Sequence, residues 1–314
     1  MGTVLANAAP LIMTGLSVGF AFKTGLFNIG AAGQYTLGAF GALYCAIVLQ
    51  WPWYLCLLAA MLFGAIWGAL PGIFKAYLNI NEVITAIMFN WIGLYMVNDI
   101  MYGKGKSPMY DLASTKTYSL RKAAPQAMIP SLGMSELFGK LQSVTIAIFI
   151  AIFFAIVVYI ILNKTAFGYE LRACGFNKNA ARYAGINEKR NIILAMMISG
   201  ALAGVGAGLY YLSTVAEWNP QVSTALPAMG FNGISTALLA CSNPIGTIFS
   251  SLFISYITVG GTKLSTQYYT KEIADVITAL IIYLCAFSLL FKNKIRALLV
   301  GKAKRVSVGK GGDD

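Results

Sequence analysis

The side chains that could do chemistry here are mostly uncharged amides set in or beside apolar runs: Asn28, Gln34, Asn90, Asn98 and Asn232. An amide in hydrocarbon is costly unless a donor and an acceptor meet it, so each either bonds a neighbouring helix or meets a polar solute. Phe27, Phe89, Trp91 and Phe231 lie beside these amides and could stack on a flat ring, or pack against lipid and core. Taken together, Asn28, Gln34, Phe89, Asn90, Phe231 and Asn232 outline a polar but uncharged route, suited to a neutral solute bearing hydroxyl or amide groups. Glu82 and Asp275 fall at the ends of apolar runs, where water can solvate them.

Catalysis finds little support. The chain has no histidine, which removes His-based zinc sites and any Ser/His or Cys/His nucleophile pair. Ser199-Gly200, inside an apolar run, therefore reads as small residues for close packing. The five cysteines show no CxxC spacing, and Cys45, Cys56, Cys241 and Cys285 read as small buried apolar residues. Gly105-Lys106-Ser107 resembles the end of a phosphate-binding loop, but Ile100 stands where its first glycine is required. No catalytic residue, metal site or nucleotide site is expected.

The elements that must position these amides follow from composition. Across 314 residues, 58% are hydrophobic and 11% charged, and mean hydropathy is +0.71. That excludes an ordinary soluble globule and implies an all-α membrane protein, a polytopic helical bundle of about nine to ten spans. Apolar runs near 4–22, 28–49, 53–74, 83–102, 143–162, 191–212, 245–261 and 273–291 fit spans. The run 231–241 is too short to cross unaided. Asn219-Pro220 precedes it and Ser242-Asn243-Pro244 follows, which predicts a broken or re-entrant helix lining a cavity or buried in protein. Gly15 and Gly19, Gly64, Gly68 and Gly72, and Gly200, Gly204 and Gly208 recur at four-residue spacing, a pattern for close helix packing in lipid.

The net charge of +12 does not point to nucleic acid, because the basic residues sit at membrane edges rather than among interleaved aromatics. They set orientation instead. The segment 164–190 holds six basic residues against two acidic ones, and the tail 292–314 holds seven against two, so both are expected in the cytoplasm. The loop 103–142 falls outside although it also holds six basic residues; over the whole chain, fifteen lie inside and eight outside. The chain thus reads as one transmembrane domain, 1–314, with its first residue outside, which hints at a leading span absent from this sequence.

Within 164–190, Asn177 is a good N-cap, Lys178–Ala184 makes about two helical turns and Gly185 is placed to end them. Ala180, Ala181 and Ala184 form a smooth face with Arg172, Lys178 and Arg182 nearby, suited to a groove on a soluble partner. An ordinary positive cytoplasmic loop is the alternative.

Three ordered motifs carry a resemblance that spans nearly the whole chain. GLFNIGAAGQYTLGAFGA, from Gly25 to Ala42, resembles the second-span signature of permease subunits in ATP-binding-cassette importers for ribose, branched-chain amino acids and nucleosides. GYELRACGFNKNAARYAGI, from Gly168 to Ile186, resembles their cytoplasmic coupling helix. NEVITAIMFNWIG, from Asn81 to Gly93, resembles the nucleoside branch. The resemblance implies a bundle of about ten helices with no catalytic centre, in which Phe27-Asn28 and Phe231-Asn232 open two pseudo-symmetric halves. It implies ATPase coupling through Arg172, Gly175, Asn177, Ala180, Ala181, Arg182 and Gly185, with Gly175 and Gly185 permitting tight turns into and out of the helix. The implied partners are a second, related permease subunit, a cytoplasmic ATPase carrying ATP and Mg, an extracytoplasmic substrate-binding lipoprotein and membrane lipid. The implied place is a bacterial-type cell membrane, and the implied cargo is nucleosides. A ribose-type sugar permease and an ATP-independent secondary transporter are the alternatives, the latter disfavoured by the scarcity of ionisable residues within the spans.

Overall fold

A computed structural model of the chain describes residues 1–102, 108–111, 116–138, 141, 143–218 and 226–262, with scattered residues between 273 and 284. Most of the span expected at 273–291, with Asp275 and Cys285, lies outside the described residues. So do Asn219-Pro220, Gly105–Ser107, Lys263, Lys271 and the basic tail from Lys292.

Four helices come first: α1 (Gly2–Lys23), α2 (Ala31–Ile47), α3 (Trp53–Leu78) and α4 (Glu82–Tyr102). Pro52 opens α3, and Asn79, held at φ 54°, ends it. A folded connection follows, in which β1 (Tyr110–Asp111) pairs antiparallel with β2 (Lys116–Thr117) ahead of α5 (Leu120–Ala123), a 3-10 turn at Pro125–Ala127 and α6 (Met134–Leu137). Then come α7 (Ala147–Lys164), α8 (Ala166–Phe176), α9 (Lys178–Tyr183) and α10 (Glu188–Leu212). The described helices close with α11 (Ala228–Leu239) and α12 (Pro244–Gly261). Thr165, Asn187 and Asn243 each place a side-chain oxygen on free backbone N–H groups at the start of α8, α10 and α12.

This is an all-α, multi-pass membrane protein. Six of its described helices, α1, α3, α4, α7, α10 and α12, are long and apolar enough to cross a membrane. The 17 residues of α2 fall just short of that length. The 12 residues of α11 reach only about 18 Å at 1.5 Å each, against a hydrocarbon core of about 30 Å. Cys241 and Ser242, at φ 51° and 54°, then turn the chain sharply into α12. The run anticipated at 231–241 as too short to cross unaided is thus α11.

The core forms around α1 and α10. Almost every residue of α1 from Ala8 to Ala21 is buried, and α10 packs on α1, α2 and α3. Glycine makes the tightest of these contacts: a Cβ at Gly64 would stand 2.3 Å from the Gly200 carbonyl oxygen, and one at Gly204 would stand 2.2 Å from that of Ala60. The four-residue glycine spacing therefore lets α3 and α10 touch backbone to backbone. Ile84, Met88 and Tyr95 of α4 and Phe149 and Phe153 of α7 face outward, as helices against lipid or another subunit do.

The bundle has two distinct ends. At one, the start of α1 meets Leu141 and Val144, Ile129 N–H donates to the Leu212 carbonyl, and Thr117 N–H donates to that of Trp218. At the other, the α1–α2 connection meets α8 through Gly25 and Gly175. Two expectations need correction. Asn28, anticipated inside a span, lies in that connection, because Gly30 rather than Asn28 caps α2. Cys241, anticipated as buried, is exposed in the α11–α12 turn, whereas Cys45 and Cys56 are buried.

Candidate substrate path and coupling surface

The amides expected on one route separate into two groups. Asn28 and Gln34 face each other, both essentially fully buried. Asn28 Nδ2 donates to Gln34 Oε1 at 2.7 Å and to Ser199 Oγ at 2.6 Å, and Gln34 Nε2 donates back to Asn28 Oδ1 at 3.1 Å. Ser199 Oγ in turn donates to the Ser17 carbonyl at 2.7 Å and lies 3.1 Å from Ser17 Oγ. One network thus ties α1, α2 and α10 together at the α1–α2 connection. Both protons of the Asn28 amide are spent inside the protein, which is the interhelical reading of these residues. Ser199, read from sequence as a packing residue, is the hub; its partner Ser17 lies 182 positions away, beyond the reach of local pattern.

Asn90 belongs to the same region. Its Oδ1 accepts from Gly33 N–H at 2.7 Å, capping the first turn of α2, and its Nδ2 donates to the Ile29 carbonyl at 3.0 Å. Phe89, one residue before it, sets its ring edge-on to Trp67 and Phe74 at 5.5 and 5.7 Å between centroids. Trp67 Nε1 also donates to the Phe89 carbonyl, so α3 and α4 are joined by a ring contact and a hydrogen bond together. At the near end of the same helix pair, Lys75 and Glu82 form an ion pair at 2.7 Å, consistent with Glu82 standing at a span end.

Asn232 stands apart. It lies on α11, facing a cavity of about 310 Å³ at the opposite end of the bundle, between α1, α11, α12 and the end of α10. Its neighbour Phe231 is 39% exposed on the outside of the bundle. The same end holds a second cavity, of about 330 Å³, lined by Tyr118, Arg121, Tyr211, Glu217 and Trp218, with the Tyr211 and Trp218 rings stacked at 5.4 Å. Sequence reading missed both cavities, because their walls come from helices and loops far apart in the chain.

The polar island is ordered by its own caps. Asn177 Oδ1 accepts from Asn179 and Ala180 N–H at 3.1 Å each and starts α9. At its end, Gly185 at φ 80° lets Gly185 N–H reach the Arg182 carbonyl and Ile186 N–H that of Ala181, the paired bonds of a Schellman stop. The smooth face expected of Ala180, Ala181 and Ala184 is divided: Ala181 is buried, while Ala180 and Ala184 are exposed along a groove of about 470 Å³ between α8 and α9. Phe176 and Tyr183, not singled out from sequence, are the most exposed large apolar side chains of this region, at 93% and 94%.

The two arginines differ. Arg182 is exposed, whereas Arg172 lines the groove with its Nε buried and without a hydrogen-bond partner among the described residues. Gly175 is a correction. It sits inside α8 rather than at a turn, and its missing side chain serves contact: a Cβ there would stand 2.5 Å from the Thr24 backbone carbon, and one on Gly25 would stand 2.3 Å from Gly175 Cα. The island therefore rests directly on the α1–α2 connection that carries Asn28.

Comparison with known proteins adds to this geometry. A family profile described as branched-chain amino acid transport system / permease component matches residues 1–286. The chain is 33% identical to the guanosine ABC transporter permease protein NupP of Bacillus subtilis, over 97% of this chain and 84% of that one. It is 33% identical to the nucleoside ABC transporter permease protein NupB of Lactococcus lactis subsp. cremoris, over 99% of this chain and 85% of that one. It is 28% identical to the glucose ABC transporter permease protein TsgB13 of Haloferax volcanii, over 92% and 77%. The same two bacteria each have a further permease, NupQ and NupC, to which this chain is 27% identical. No solved structure matches.

Proposed function

This chain belongs to the family of branched-chain amino acid transport system permease components, and from that premise we propose that it is a permease subunit of an ATP-driven importer carrying nucleosides. The observation that carries the cargo is 33% identity, over nearly the full chain, to permeases named for guanosine and for nucleosides. The sugar reading rests on the weaker likeness to a glucose permease.

In this reading the chain performs no chemistry, and ATP with its Mg is bound and hydrolysed on a partner ATPase. A second, related permease completes the pathway, in keeping with the paired permeases of the two relatives' bacteria. The segment 164–190 and the tail 292–314 face the cytoplasm of a bacterial-type plasma membrane. The segment 103–142 faces outward and receives the substrate-binding lipoprotein.

When the ATPase closes on ATP, α9 moves as a lever with Arg172 and Arg182 engaged on its partner. The displacement passes through the Gly175–Gly25 contact to the α1–α2 connection, and the sealed Asn28 network makes α1, α2 and α10 rotate as one body. The permease pair thereby alternates between outward and inward access.

Uptake of labelled adenosine and uridine, in cells with and without the gene, tests the proposal, with unlabelled nucleosides and ribose as competitors. Loss of nucleoside uptake on deletion, competed by nucleosides but not by ribose, is expected. Intact nucleoside uptake with lost ribose uptake would move the assignment to sugars.

A further inference from the structure

Building on the nucleoside reading, we infer that the cavity beside Asn232 is a binding subsite for the neutral solute on its way through the permease. Its wall is formed by Asn7, Tyr210, Asn232, Ser255, Thr258 and Thr262, backed by the apolar side chains of Leu11, Val215, Met229 and Val259. Among the described residues, no charged one lines it. Its volume, about 310 Å³, lies at the lower end of the range for small-molecule sites, about 300–1,000 Å³.

The hydrogen bonds inside the wall fix what it can accept. Ser255 Oγ donates to the Val4 carbonyl at 2.7 Å, Thr258 Oγ1 to that of Ile254 at 3.0 Å and Thr262 Oγ1 to that of Val259 at 2.8 Å. With their protons committed, these hydroxyls present lone pairs. Asn7 Nδ2 donates to the Thr3 carbonyl at 2.9 Å, which leaves its Oδ1 as a further acceptor. An acceptor-rich wall without charge suits a solute rich in O–H and N–H donors rather than an ion.

Asn232 supplies the complementary edge. Its amide has no hydrogen-bond partner among the described residues, in contrast to the bonded amides of Asn28, Gln34 and Asn90. A free amide offers one donor and one acceptor side by side, the pattern that pairs with the edge of a nucleobase. The Tyr210 ring, held edge-on to Tyr211 at 5.2 Å, gives the same cavity an aromatic wall. The position fits as well, because α11 is too short to span, and interrupted helices at membrane depth line cavities.

The test uses the complete transporter in membrane vesicles. Wild-type uptake of labelled adenosine is measured first, because its absence removes the nucleoside reading independently of the site. Asn232→Ala is then expected to lower adenosine transported per ATP hydrolysed about tenfold, the effect of one lost hydrogen-bonding group, with the amount of assembled transporter unchanged. As a second measurement, Asn232→Cys is labelled from outside with a membrane-impermeant maleimide, and adenosine with the binding protein is expected to slow labelling at least threefold. Protection by ribose alone, in a transporter that does not carry nucleosides, keeps the subsite and changes its solute. An unaltered transport ratio, a labelling rate indifferent to every solute tried, or a thiol sealed against the partner subunit overturns the inference.

Discussion

Asn28 and Asn232 follow the same residue, phenylalanine, and meet opposite fates. At the α1–α2 connection, Asn28 is closed off by Gln34, Ser17 and Ser199, with no exposed surface. At the other end of the bundle, Asn232 opens onto a cavity of hydroxyl and amide groups. The difference teaches that an amide's role in this bundle is set by whether neighbouring helices consume its donors. In the proposed reading, the sealed end is a clamp that joins three helices to the coupling surface, and the open end is a receptor.

Asn28→Leu should break this contrast most severely, because it strands both polar atoms of the buried Gln34 amide and removes the bond to Ser199 Oγ, which keeps its own bonds to Ser17. Each stranded buried group costs about 1–3 kcal/mol, so thermal unfolding of the detergent-purified transporter is expected to begin at clearly lower temperature, with less chain reaching the membrane. Gly175→Leu attacks the clamp from the α8 side. Forcing a side chain into the backbone contact with Thr24 and Gly25 costs about 1–3 kcal/mol, and ATP hydrolysis stimulated by loaded binding protein is expected to fall more than basal hydrolysis does. Unchanged stimulation would disconnect α8 from the α1–α2 connection.

Ser199→Ala sharpens the comparison with a smaller step. It removes the three hydrogen bonds that Ser199 Oγ makes in the network while leaving the Asn28–Gln34 pair, and a loss of about 1 kcal/mol, read by the same melting assay, is expected. Asn232→Ala should be the mildest for stability, within about 0.5 kcal/mol, because no bond within the described residues depends on that amide. A melting loss at Asn232 as large as that at Asn28 would erase the distinction between clamp and receptor.

Much of the framework was legible before the structure. The apolar runs located the helices, the glycine spacing anticipated close helix contact though not that α3 and α10 would make it, and Asn177 and Gly185 bounded α9 because caps and stops are local. The shortness of α11 was legible for the same reason. What escaped were properties assembled across sequence distance. The satisfaction of Asn28 depends on Ser199, 171 positions away, and the cavity joins Asn7 of α1 to Ser255 and Thr258 of α12. Gly175 was read as a turn residue because its function lies in the backbone of Thr24 and Gly25, which no local pattern reveals.

The most direct measurement compares the two amide positions in one experiment. Asn28→Cys and Asn232→Cys are each placed in a complete transporter whose five native cysteines are replaced by alanine, and both are exposed, in the detergent-purified and folded transporter, to a polar maleimide that reaches both ends of the bundle. The account predicts modification at position 232 and none at position 28 while the protein stays folded. Equal modification at both positions, or modification at position 28 alone, would contradict the division into a sealed clamp and an open receptor.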